Sequence, residues 1–266
     1  VRERERKLDL PHGTDLPGPA ELVRAVRGCR SVELSEVVQH ARYHDTDDRR
    51  LLRVGATFRH RDDEGWLVKL PSRSGDAGWL DREEVRFDGS PDAPPDPALE
   101  LVWPLRRGAP VSEVARLRTR RRRARLLGDR GVLLAEVTFD EVEATAPDGT
   151  DLARFAEAEI ELGEVAPAAL DRLAELLHAR GAGDPVDAPK LVRALGDPGP
   201  ADVVVPELAD DATVRRAVTA AIARSVAQLQ RELPWVLLDA GPEPVHQARV
   251  ATRRLRSDLR TFRPLL

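Results

Sequence analysis

The sequence predicts an α+β chain in two parts, a largely antiparallel β domain followed by helices. Three observations carry this. Up to about residue 165, strand-like runs follow one another without the intervening helices that parallel pairing needs. From residue 166 the apolar residues recur at helical spacing instead. The stretch GDPGPADVVVPELADD (196–211) is punctuated as a linker before two longer helices. A chain of 266 residues has room for two units that each bury a core, and the division is placed at 1–198 and 199–266.

Taken in order, VRERERKLDL (1–10) is a strand with charge on both faces: Glu3, Glu5, Lys7 and Asp9 on one, Arg2, Arg4, Arg6 and Leu8 on the other. PGPAELVRAVRG starts with prolines and spaces Leu22, Val23 and Val26 as a short helix does. SEVVQHARYHDT (35–46) reads as a strand leading into a short helix, DDRRLLRVG, capped by Asp45 or Thr46 and stopped by Gly55. ATFRHRDDEGWLVKLP (56–71) has the form of a hairpin around DDEG. Further strands are expected at 83–89, 114–127, 131–145 and 155–165, and the proline-rich DGSPDAPPDPALE (88–100) is expected to be a loop. In 166–183, Leu170, Leu173, Leu176 and Leu177 share one side of a helix, and DAPKLVRALG (187–196) is a further short one. Of the two closing helices, the first has an apolar stripe of Val214, Val218, Ile222, Val226, Leu229 and Leu233.

The formal net charge of -4, from 42 basic and 46 acidic residues, calls for neither a nucleic-acid nor a membrane partner. The single cysteine, Cys29, cannot form an internal disulfide. No run approaches the roughly 18 apolar residues of a membrane span, and the N-terminus is too charged for a signal peptide. A soluble cytoplasmic protein is the expectation.

The charged strands hold the chemistry. Glu157, Glu159 and Glu161 share a parity, as do Glu136 and Asp140, so two strands each present carboxylates from one face. Like charges gathered this way repel unless cations sit among them, and Mg²⁺ or Mn²⁺ takes oxygen ligands of this kind. Arg59 and Arg61 share a face of the hairpin, Lys69 lies on its partner strand, and RLRTRRRRARL (116–126) adds a ladder of arginines on both faces. A single strand of alternating charge is usually an exposed edge; several in one domain suit a cavity with carboxylates on one side and guanidinium groups on the other, which fits a metal-bound polyphosphate. His40, His44 and His60 are scattered and read as structural or solvent-exposed.

The run Glu3, Glu5, Lys7 matches the ExExK signature of CYTH domains, also called triphosphate tunnel metalloenzymes. The resemblance continues through YHDT (43–46), LLRVGATFRHR (51–61), WLVKLP (66–71), TRR (119–121), the FDE run around Asp140 and EIEL (159–162), and covers roughly residues 1–180. It implies an eight-stranded antiparallel barrel whose tunnel binds a triphosphate chain and divalent metal. Known members include inorganic and thiamine triphosphatases, class IV adenylyl cyclases and RNA triphosphatases. By position, the resemblance implies that Glu3, Glu5, Glu159 and Glu161 hold the metal with help from Glu157. Lys7, Arg59, Arg61, Lys69 and Arg121 would grip phosphate oxygens, and Asp140 would be the remaining catalytic carboxylate. If Arg121 faces inward then so does Arg123; a bulge would bring in Arg118 or Arg120 instead.

In the final run, PVHQARVATRRLRSDLRTFRPLL (244–266), His246, Arg249, Arg253, Arg256 and Arg260 form one stripe at steps of three and four. Ala248, Thr252, Leu255, Leu259 and Phe262 form a second, expected to be the buried seam. Asp258 is the one acidic residue after Glu243, so the basic stripe suits a polyanion, although such stripes are often merely solvated. VHQARVATRRLRS resembles the opening of the CHAD domain, a helical module associated with binding inorganic polyphosphate. A whole CHAD domain is several times longer, so the expectation is a helical hairpin from a truncated bundle. The reading is a tunnel barrel that hydrolyses inorganic triphosphate or a related triphosphate with Mg²⁺ or Mn²⁺, joined to a polyphosphate-binding module. The alternative is a protein that binds or senses polyphosphate without turning it over.

Overall fold

The structure, a computed structural model, describes residues 5–11, 13–71, 82–163, 168–185, 188–201 and 203–265. Eight strands form one antiparallel sheet: β1 (Glu5–Leu10), β2 (Ser31–Asp45), β3 (Thr57–Arg61), β4 (Gly65–Pro71), β5 (Arg82–Phe87), β6 (Ser112–Leu127), β7 (Leu133–Thr145) and β8 (Asp151–Leu162), in the order β1-β8-β7-β6-β2-β3-β4-β5. All eight line a single cavity, so the sheet curls around its charged face.

The two faces of each strand meet different surroundings. Leu8, Leu10, Ala124, Leu126, Val137, Phe139, Ala158 and Ile160 point outward and pack with Leu22 of α1 (Pro19–Ala25) and Leu170, Leu173 and Leu177 of α5 (Ala168–His178). Phe58, Trp66, Val68 and Leu70 do the same on the other side, beneath α3 (Asp96–Leu101) and α4 (Trp103–Arg106). These two apolar clusters therefore lie outside the curled sheet, and the helices shield them from water.

Between β2 and β3, the cap of α2 (Arg50–Arg53) uses both candidates. Asp45 accepts from the Leu51 and Leu52 amides at 3.0 Å each, and the Thr46 hydroxyl accepts from the Arg50 amide at 3.0 Å. The 88–100 stretch is a loop only in its first part. α3 begins at Asp96 because a proline in the first helical turn costs no hydrogen bond there. Past α5, the short α6 (Lys190–Leu195) packs Leu191 and Ala194 against Ala41, Tyr43, Leu117, Val142, Ala144 and Phe155. These strand residues belong to the inner face, so α6 plugs one end of the curl.

The described residues between α6 and α7 (Val214–Leu237) include no helix or strand, and α7 pairs with α8 (Pro242–Thr261) as a hairpin. Trp235 and Leu238 tie the hairpin to the core beneath α3 and α4. The seam of α8 is rotated from the expected one: Ala251 is fully buried, whereas Thr252 is exposed and Leu259 is 44% exposed. On α7, Val214 is exposed and Val218, Ala220 and Ala223 are buried. The outward-lying Leu, Thr and Val residues leave one side of the hairpin open. No helix among the described residues is long and apolar enough to cross a membrane.

Candidate functional site

Cross-strand register assembles the inner face in rows. Glu5, Glu161 and Glu136 are neighbours across β1, β8 and β7; Lys7, Glu159, Thr138 and Arg123 form the next row; Asp9, Glu157, Asp140 and Arg121 the one after. β2 and β6 stay in register from Ser31↔Leu127 to Tyr43↔Ala115, which turns Arg121 and Arg123 inward with Thr119. Arg118 and Arg120 face outward and pair with Glu143 and Glu36. The cavity has a volume of about 230 Å³.

One half of its wall is cationic. Arg59 and Arg61 of β3, Lys69 of β4 and Arg86 of β5 line it. Three carboxylates hold this group: Glu64 at the β3–β4 turn bridges Arg59, Arg61 and Arg86, Glu84 pairs with Lys69 and Arg86, and Asp63 pairs with Arg61. Burial works to raise the Glu64 and Glu84 carboxyls, but the surrounding cations prevail and hold both below their usual range. The Tyr43 hydroxyl accepts a 3.3 Å hydrogen bond from Arg59. Although burial pushes that phenol up, Arg59, Lys190 and Lys69 bring it below its ordinary value.

The other half carries the carboxylates, with Glu136, Glu159 and Glu161 on the cavity and Asp140 and Glu157 beneath it. Oxygens of Asp140, Glu157 and Glu159 lie within 4.8 Å of one another, and the Lys190 ammonium, from the first turn of α6, sits among them at 3.0, 2.5 and 2.8 Å. Arg121 bonds both Asp140 oxygens at 2.8 and 2.6 Å and Glu159 at 2.7 Å. Lys7 reaches Glu159 at 3.1 Å, and Arg193 reaches Glu157 at 2.9 Å. Burial raises the Glu159 carboxyl, yet Lys190, Lys7 and Arg121 outweigh it, and the group lies well below the usual carboxylate range. By the converse balance Lys190 lies well above the usual ammonium range.

These donors suit a hard divalent ion. The Asp140, Glu157 and Glu159 oxygens are close enough to share one, but an ammonium already stands between them. Glu136, Glu159 and Glu161 line the cavity itself, and Glu5 is in register beside Glu161. Glu136 pairs with Arg123 at 3.0 Å and Glu159 with Lys190, Lys7 and Arg121, so both groups offer oxygen ligands of the kind Mg²⁺ or Mn²⁺ takes and both already hold cations. Glu3 and the side chain of Glu5 lie outside the described residues.

Of the residues singled out from sequence, Lys7, Arg59, Arg61, Lys69, Arg121, Arg123, Glu159 and Glu161 come together on this cavity. Asp140 and Glu157 do not reach it: both side chains are 0% exposed and engaged below its floor. Glu64, Glu84, Arg86, Tyr43 and Lys190 are contributed by the fold and were not singled out. Glu84 and Arg86 carried a signal, their period-2 spacing in EEVRFDG; Lys190 and Arg193 carried only an i,i+3 spacing on an apolar helix. Separately, His246, Arg249, Arg253, Arg256 and Arg260 all line the open groove of the hairpin with Leu229, Leu233 and Val236 of α7, a space of about 850 Å³. Among the described residues no ion pair neutralises the four arginines.

Comparison with known proteins agrees with this geometry. Residues 2–183 match the CYTH domain and residues 220–266 match the CHAD domain. Uncharacterized proteins of two Mycobacterium tuberculosis strains are each 34% identical over 278 aligned residues, covering 96% of this chain and 51% of theirs. The chain thus spans about half the length of these curated relatives. Among solved structures, a candidate adenylate cyclase of Bacillus halodurans is similar at 16% identity and TM-score 0.40, covering 73% of this chain and 97% of its own. A candidate adenylyl cyclase of Hippeastrum, described as having a dominant triphosphatase activity, is similar at 18% identity and TM-score 0.33, covering 66% and 85%. Scores this low carry no argument beside the domain match, which spans more than half of the chain and is independent of them. A curled eight-stranded sheet with cations facing carboxylates, in a chain matched from residue 2 to residue 183, belongs to the CYTH family.

Proposed function

We propose that the cavity binds a triphosphate and hydrolyses its terminal phosphoanhydride with Mg²⁺ or Mn²⁺, water adding to the terminal phosphorus as the bridging P–O bond breaks. The observation that supports this is the facing of Arg59, Arg61, Lys69 and Arg86 against Glu136, Glu159 and Glu161 across one cavity. Arg59, Arg61, Lys69, Arg123 and Lys7 bind and orient phosphate oxygens through charge-assisted contacts. Arg121 presents one face to the cavity while Asp140 fixes its plane, so Asp140 is a positioning residue rather than a catalytic one. Glu159 and Glu161, with Glu136 and by register Glu5, would hold the divalent ion, and Glu3 is assigned there by motif. Such an ion supplies charge neutralisation at the phosphoryl oxygens and a lowered pKa for bound water. The Leu191 plug excludes water from one end.

The Lys190 ammonium among three carboxylates favours a second reading: a tunnel that holds polyphosphate without turning it over. We also infer that residues 199–266 form a unit distinct from 1–198, that its basic groove takes longer polyphosphate, and that the protein works in the cytoplasm. Phosphate release from tripolyphosphate, ATP and thiamine triphosphate, with Mg²⁺, with Mn²⁺ and with chelator, tests the main reading. Metal-dependent release that Glu161→Gln lowers at least about a hundredfold with unchanged thermal stability supports it. Binding of tripolyphosphate without release under any condition selects the second reading.

A further inference from the structure

Glu64 is where the cavity's own chemistry opposes the ligand proposed for it. Its Oε2 lies 3.1 Å from Arg59 Nη2 and 3.0 Å from Arg61 Nη2, and its Oε1 accepts from Arg86 Nη2 at 2.7 Å. The side chain is 12% exposed, so these contacts are shielded from bulk water. One carboxylate on three guanidinium groups is the arrangement that a phosphate would make, with forked contacts from several donors to one compact anion. Arg61 also pairs with Asp63 at 2.6 Å and Arg86 with Glu84 at 3.0 Å, so Glu64 is the carboxylate that all three share, and an anion with more charge and more acceptor oxygens can replace it.

The backbone favours exchange. Glu64 stands at the β3–β4 turn, where its amide bonds the Arg61 carbonyl at 3.1 Å and Gly65 follows with φ 79°. The register joins Arg61 to Gly65 directly, so Glu64 takes no part in the β3–β4 ladder. Its carboxylate can leave the arginines by rotating its own side chain, with no strand pairing lost. Nothing comparable holds for Glu84, which pairs with Lys69 across the β4–β5 ladder.

We propose that Glu64 sets the affinity threshold of the cavity, as an internal counter-anion that is shared by Arg59, Arg61 and Arg86 until a multiply charged phosphate chain displaces it. The inference rests on the reading of the cavity as a triphosphate site. Displacement lowers the affinity of every ligand by the same factor, because each sees only the fraction of molecules whose arginines are released. A ligand with few contacts, such as orthophosphate, then falls below useful affinity. A triphosphate that also reaches Lys69 and Arg123 does not. After cleavage the same carboxylate competes for the arginines again and drives out the phosphate product.

The test is equilibrium binding of sodium orthophosphate and of tripolyphosphate to the full chain in chelator, by titration calorimetry. In the parent, tripolyphosphate binds and orthophosphate scarcely does. Glu64→Gln tightens both by roughly tenfold or more, the factor that one charge-assisted contact is worth. Glu64→Asp, which keeps the charge but cannot span three guanidinium groups, gives a smaller change of the same sign. A residue serving only to brace the arginines would act in the opposite direction, weakening both ligands when replaced. If the parent binds tripolyphosphate and neither variant binds more tightly, the inference falls and the reading of the cavity stands. If the Gln variant does not fold, the Asp variant decides by the same sign. If neither parent nor variants bind tripolyphosphate, the reading of the cavity falls and the inference with it.

Discussion

Replacing Lys190 by Gln tests the charge balance at the cavity floor. The change removes one ammonium from among Asp140, Glu157 and Glu159 while keeping most of the side-chain volume. Asp140 and Glu157 are 0% exposed, so water cannot take the place of the lost charge. Breaking a buried ion pair from one side costs about 3–5 kcal/mol. Here each carboxylate keeps a second cation: Arg121 for Asp140, Arg193 for Glu157, and Arg121 with Lys7 for Glu159. The lower figure of about 3 kcal/mol therefore applies, and at roughly 2–4 °C per kcal/mol for a unit of this size it lowers Tm by about 6–12 °C. Calorimetry at pH 7.5 in chelator reads it. The pH dependence has a fixed sign. Glu159 lies well below its ordinary 4.5, so the stability it supplies is present above that value and lost as pH falls through the folded pKa. Lys190 lies well above its ordinary 10.5, so its share is fully present below that value and is lost only as pH rises through the higher folded pKa. The gap between parent and variant is thus level between about pH 5 and 10 and closes in acid. Mg²⁺ should raise the variant's Tm more than the parent's, since a cation then has a place among the three carboxylates. A Tm within about 2 °C of the parent, or a gap unchanged at pH 3, would refute the argument.

Leu191→Ala should lower stability by about 2–5 kcal/mol, because a fully packed leucine leaves a void between α6 and the inner face; a urea midpoint equal to the parent's would place the plug outside the cooperative core. Changing Arg249, Arg253, Arg256 and Arg260 together to Gln should flatten the salt dependence of long-chain polyphosphate binding, since fewer counterions are released, and should leave tripolyphosphate hydrolysis nearly unchanged. Equal long-chain affinity of parent and variant at every salt concentration would make the groove a solvated face.

Much of this architecture was visible in residue order because strand faces repeat every two residues. Glu157, Glu159 and Glu161 had to share a face wherever the strand lay, and so did Arg59 and Arg61. What parity cannot supply is depth along the face: Glu157 and Glu161 are equivalent by spacing, yet one lies beneath Lys190 and the other lines the cavity. The arginine strand was ambiguous because every residue from 120 to 123 is arginine, and only the unbroken pairing with β2 decides which two turn inward. Lys190 escaped notice because its partners lie 31 to 50 positions away and meet it only through the docking of a six-residue helix. On α8, Ala251 forms the seam in place of Thr252 because the hairpin brings α7 against one side alone, and an amphipathic stripe does not say which of its edges will be covered.

The placement of Ala156, Ala158 and Ile160 in the apolar cluster outside the curl constrains how β8 can pair at all. A slip of one residue would turn Ala156, Ala158 and Ile160 into the cavity and press Glu157, Glu159 and Glu161 against Leu170 and Leu173 of α5. A slip of two would restore the faces but move each carboxylate one row, so that Glu161 or Glu157 would meet Lys7 where Glu159 now does. The first error is penalised by the oily exterior and the second by mismatched charge in the lumen. Two unlike forces thus act as separate proofreaders of one alignment, and a strand that satisfies both has a single way to sit.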